Sequence, residues 1–146
     1  MRAMYNWYCM TFAMVLIAWC SVAGQQRPYT PKVGSKERKE ILNALRPTAE
    51  DCFSQKIEFV IERFRVNDTW AYVSADPRQK GGKPLDYDVA GLTEAIDEGF
   101  YDAGSFYALL RYEKGRWVVV EYAHGCTDVC YDAWIEEYNL PKGLIE

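Results

Sequence analysis

The sequence has a single histidine, His124, and no surplus of positive charge: 17 Lys and Arg stand against 21 Asp and Glu, a net charge of −4 over 146 residues. One imidazole excludes His-rich metal sites and any chemistry that needs two imidazoles. Without a basic surplus the chain lacks the electrostatic footprint of a nucleic-acid binder. An apolar run of membrane-spanning length is missing too. The run from Met10 to Cys20 is about half the ~20 residues that a spanning helix needs. No internal repeat and no low-complexity tract occurs, which excludes a repeat array and a disordered tail. What is present is enough for one core: 49% of the residues are apolar and 15% aromatic. The length is that of one domain.

The first two dozen residues do not belong with the rest. Arg2 is the one charge in residues 1–23, and small residues Ser21, Val22, Ala23 and Gly24 follow the apolar run. A basic start, a short apolar stretch and a small-residue exit describe a secretory signal peptide. Cleavage is expected near Ala23/Gly24, which makes the protein periplasmic or secreted with no stable membrane span afterwards. The alternatives are an uncleaved anchor and lipidation at Cys20, where Trp19 is bulky for a lipid-attachment site. Removing residues 1–23, with one basic and no acidic residue, takes the chain from 146 to 123 residues and the net charge from −4 to −5. Cysteines fall from five to three, namely Cys52, Cys126 and Cys130. An oxidising compartment permits disulfides. An odd count leaves at least one thiol outside any internal pair.

Residues 24–34 hold two prolines and two glycines and read as an extended linker. Residues 35–146 read as one domain. Ser35 is placed to cap a helix with Ile41, Leu42 and Leu45 on its apolar stripe. Pro47 is expected to stop or kink it. Cys52 falls in an apolar series and reads as a buried core thiol. Residues 56–66 alternate in two phases, with Ile57, Phe59 and Ile61 in one and Val60, Phe64 and Val66 in the other. Such a change of phase predicts a β-bulge or a strand covered on both sides. Asn67-Asp68 reads as a turn, and Thr69–Ala75 as the returning strand. Residues 76–88 read as a loop. A short helix is expected around Leu92, Ala95 and Ile96. Residues 105–113 and 116–123, joined at Lys114-Gly115, form the clearest hairpin. Thr127 is expected to cap a last helix carrying Cys130, Tyr131, Trp134, Ile135 and Tyr138, which Pro141 ends. This order predicts an α+β domain: an N-terminal helix on a curved antiparallel sheet of about four strands, then a short C-terminal helix. By element order alone it resembles a cystatin-like or nuclear-transport-factor-like cone.

The stretches SKERKEILNALRP, TWAYVSADP and GSFYALLRYEKGRWVVVEYAHGCTDVCYDAW resemble a family of small exported bacterial domains. Members carry an ERK-x-I-L-D-A-L-R helix, a W-A-F-V strand and an A-L-L-R…G-R-W-x-V-V…T-D-V end, and some are attached to SH3-like modules. The resemblance covers about residues 35–140. Its motifs are core and turn residues, so it implies a fold and an exported location and carries over no catalytic residue. The present sequence departs from the pattern at Cys126 and Cys130.

Candidate chemistry concentrates in His124–Cys130. Cys52, His124, Cys126 and Cys130 fit none of the usual zinc-ligand spacings, so no metal is expected. A Cys–His nucleophile pair would need an orienting group and an oxyanion hole that no motif supplies, so no catalytic residue is assigned. A local disulfide, Cys126–Cys130, is the favoured reading, and pairing of Cys52 with either is the competing one. It would make His124, Gly125, Thr127 and Asp128 an interaction loop, of the kind several bacterial lysozyme inhibitors present. Asp86, Tyr87, Asp88, Tyr101 and Asp102 would rim the mouth of a cone, as a solvated acidic face or as the wall of a ligand pocket. No cofactor is called for. The expected partner is an envelope protein or a small ligand. Oligomeric state is left open.

Overall fold

The computed structural model describes residues 26–145, so the expected signal peptide and Cys20 lie outside the described residues. The element order is α1 (Lys36–Phe53), β1 (Glu58–Asn67), β2 (Trp70–Arg78), α2 (Thr93–Asp97), β3 (Phe106–Glu113), β4 (Arg116–His124) and α3 (Ala133–Glu137). The four strands form one antiparallel sheet in the order β1-β2-β3-β4. The domain is α+β, as its sequence implies.

Helix α1 starts where Ser35 predicts it: the Ser35 Oγ accepts the Arg38 N–H at 3.3 Å. The expected stop at Pro47 is not observed, and the helix continues to Phe53. Pro47 and Asn43, whose carbonyl loses its i+4 donor, both face solvent, so water can take the orphaned acceptor. Continuation completes a stripe of Ile41, Leu45, Ala49 and Phe53, all essentially buried. Four-residue spacing keeps this stripe on one side of the helix. Each of its larger side chains contributes roughly 1.5–3 kcal/mol by burial. Cys52 sits beside the stripe and is half-buried, not a core thiol. Ser54, in the left-handed conformation at φ 54°, ends the helix.

The predicted change of phase in β1 is a bulge. Ile61 pairs with Ala75 and Arg63 with Ser74, leaving Glu62 as the extra residue. Ile57, Phe59 and Ile61 before the bulge, and Phe64 and Val66 after it, therefore pack into the same core under α1. Val60 is exposed. The β1–β2 turn lies one residue later than expected, at Asp68-Thr69. Strand β2 runs on through Pro77, which the sequence placed in a loop. β3 pairs only with Trp70–Ala75, so Pro77 needs no N–H on that side. The β3–β4 hairpin turns at Lys114-Gly115, both at positive φ (50° and 83°), as a two-residue I′-type turn requires.

Both faces of the sheet are covered. Phe106, Ala108 and Leu110 point towards α1, whereas Tyr72 and Leu109 pack under Trp134, Leu140, Leu144 and Ile145. The C-terminal helix is shorter than expected. Thr127 does not cap it, and α3 spans only Ala133–Glu137. Over 127–132 the chain bends instead, and the Asp128 carboxylate takes the Val129 N–H at 2.7 Å, a local bond that competes with a helix. Tyr131, Trp134, Ile135 and Tyr138 still share the second core. Residues 29–31 of the expected linker dock on the domain. Tyr29 and Val66 exchange backbone hydrogen bonds of 2.9 and 2.8 Å, and Pro31 is buried. Among the described residues, no helix is long and apolar enough to cross a membrane.

Candidate functional site

Cys126 and Cys130 form a disulfide, with Cα atoms 6.1 Å apart. Both lie outside α3, in the segment that leaves β4. Thr127, Asp128 and Val129 stand exposed at the tip of this closed loop. Its base is fixed by Gly125, which is buried, sits at φ 65° and gives its carbonyl to the Asp102 N–H at 3.0 Å. A Cβ at this position would lie 2.1 Å from the Tyr101 ring. Only glycine lets loop 98–103 close onto the loop after β4.

His124 is a packed residue. Its ring lies parallel to Phe106 (6.2 Å between centroids, 8°) and edge-on to Phe53 at 5.3 Å. Its Nδ1 is 2.9 Å from the Tyr101 hydroxyl. Burial lowers the imidazole pKa and raises that of the Tyr101 phenol, so both neutral forms are favoured, and the tautomer of the ring sets which of the two groups donates. The thiol of Cys52 is pushed up, chiefly by burial, against a hydrogen bond to Tyr122 that favours the thiolate. A Cys–His nucleophile pair is not assembled: Cys126 is oxidised and His124 is engaged by Tyr101. Among the described residues, no group of three His, Cys, Asp or Glu is placed to hold a metal ion.

The residues of the expected pocket rim make local contacts. Asp86 Oδ1 accepts the N–H groups of Asp88 and Val89, and Asp88 accepts the Thr93 hydroxyl. These acids order the turn that leads into α2. The Tyr87 hydroxyl accepts the Gly104 N–H at 2.9 Å, and its ring meets Tyr101 edge to face at 6.2 Å. Tyr87 and Tyr101 thus close the end of the α1 core, and Asp102 is exposed beside them. The interior of the imagined cone is filled by α1.

A cavity of about 330 Å³ lies instead against the other face, lined by Glu62, Arg63, Tyr72, Ser74, Tyr107 and Tyr131. Of these six, the sequence pointed only to Tyr107 as an aromatic that could wall a pocket, and it placed that pocket inside a cone. The signal available was the change of phase in β1, because the bulge is what brings Glu62 beside Arg63. No family model matches this chain, and no curated protein or solved structure matches it either.

Proposed function

We propose that this chain is an exported, non-enzymatic binding module that meets an envelope partner protein with the end of the sheet where loops 98–103 and 126–130 join. The observation that carries this reading is the covalently closed loop with an exposed tip and a cemented base. A loop fixed before contact loses little conformational entropy on binding. Phe100 and Val129, 76% and 53% exposed, give its two halves apolar contact surface. Engagement of the single imidazole in packing supports a binding role over catalysis. The resemblance of its motifs to small exported domains supports the location.

The test is retention from an envelope extract on the immobilised chain, compared with Phe100→Ser and Val129→Asp variants. A protein held by the parent chain and released by both variants is the expected result. Identical retention by all three ends this reading. The same closed loop also suits the wedge of an enzyme inhibitor. That form predicts loss of lysozyme activity at micromolar chain, abolished in a Cys126→Ser/Cys130→Ser variant. Unchanged lysozyme activity removes it.

A further inference from the structure

We infer that the cavity on the second face of the sheet binds a neutral polyhydroxylated ring, a single hexopyranose unit of a carbohydrate. This site is separate from the loop surface and rests on different residues.

Its construction starts in the backbone. Regular alternation would send Glu62 and Arg63 to opposite faces. The bulge sets an extra residue between the Ile61–Ala75 and Arg63–Ser74 pairs, and both side chains reach one cavity. The Glu62 carboxylate accepts the hydroxyl of buried Ser74 at 2.9 Å, which leaves its second oxygen open. Arg63 donates through one nitrogen to the Ile145 carbonyl, so its guanidinium is held in place with other N–H groups to spare.

Tyr72 supplies the second observation. The residue is 2% exposed, and its hydroxyl has no hydrogen-bond partner among the described residues. Yet no fully buried side-chain oxygen or nitrogen there is left unsatisfied. Both statements hold together when the hydroxyl opens onto free space, and the cavity is the space that Tyr72 lines. A phenol in that position takes its partner from outside the protein, either water or a ligand hydroxyl that replaces it.

The rings select among ligands. Tyr131 packs on Tyr107 at 4.7 Å and on Tyr72 at 5.7 Å, tilted by 50° and 56°. Rings closed on one another leave no slot for a cation between their faces, which argues against a quaternary ammonium cage. Glu62 and Arg63 cancel in charge, so a charged ligand gains little net attraction. What remains is an acceptor, a donor and phenols that do both, in a lining that is mostly polar. A sugar ring matches that set through the hydroxyls on its edge, which donate and accept. The volume, near the lower end of ligand-site sizes of roughly 300–1,000 Å³, suits one ring.

Saturation-transfer NMR on the full chain tests this with glucose, galactose, mannose and N-acetylglucosamine, each at about 10 mM because single rings bind in the millimolar range. Choline and citrate serve as charged controls. The expected result is transfer to the ring C–H protons of at least one sugar and none to the controls. Glu62→Gln should weaken binding about tenfold by removing a charge-assisted hydrogen bond, with thermal unfolding unchanged. Tyr131→Leu, which keeps apolar bulk in the second core, should abolish transfer. Transfer to no sugar, equal affinity in Glu62→Gln, or binding of choline or citrate in place of sugar each overturns the inference.

Discussion

The two faces of the sheet are built to different standards. The face under α1 is aliphatic and aromatic carbon, sealed by four helix residues at regular spacing. The opposite face is rich in tyrosine, carries Glu62, Arg63 and Ser74, and is covered only in part by a five-residue helix and the segment after it. A continuous helix covers the first face along its length, whereas a cavity lies against the face with the short, bent cover. Stability is concentrated on one side and accessible chemistry on the other.

Substitutions should expose this asymmetry. The largest effect is expected under α1: Leu45→Ala should cost about 2–5 kcal/mol in denaturant unfolding. A loss under 1 kcal/mol would mean that α1 is not the main seal. Gly125→Ala comes next, at about 2–4 kcal/mol, because it adds backbone strain and a clash with Tyr101. A Gly125→Ala/Tyr101→Ala pair should recover part of that cost, and a purely additive pair would refute the contact as its source. Cys126→Ser/Cys130→Ser should cost about 2 kcal/mol or less, since the closed loop is short. Its clearer signature should be broadened NMR signals of Tyr131, which follows the second cysteine.

A pH dependence should be smaller still. The folded His124 pKa is lowered by burial, so the unfolded chain binds its proton more readily. The contribution to stability is then complete above the unfolded value of about 6.5 and is lost as pH falls through the lower folded value. His124→Phe should flatten that part of the stability–pH curve, and an unchanged slope would assign it to other groups. Least affected should be Glu62→Gln, within about 0.5 kcal/mol, because the side chain lies at an exposed position on the second face. A large loss there would erase the proposed division of roles between the two faces.

Much of the fold was legible because burial on one face leaves a period in the sequence. Ser35 marked the helix start, Lys114-Gly115 the hairpin, and the two phases of residues 56–66 the bulge. Pro47 does not stop the helix because its cost depends on whether water reaches the Asn43 carbonyl, a question of exposure and not of residue type. The late start of α3 was hidden because Asp128 spends its side chain on the neighbouring N–H. Of the candidate site, the disulfide could be read from spacing, whereas the loop base, where Gly125 meets Tyr101, could not. The cavity could not, since Ser74, Tyr107 and Tyr131 come together only through strand pairing and the fold of the C-terminal segment.

The Tyr29–Val66 bridge has a topological consequence. It holds the incoming chain at the hairpin end of the sheet, and a Cβ on Gly143 would lie 3.8 Å from Pro28, so the outgoing chain meets it there. Joining these two neighbouring segments by a short peptide and reopening the backbone at Gly81-Gly82 would reorder the strands along the sequence as β3-β4-β1-β2 while leaving the strand order in space unchanged. Such a circular permutant would carry both its new ends away from that junction.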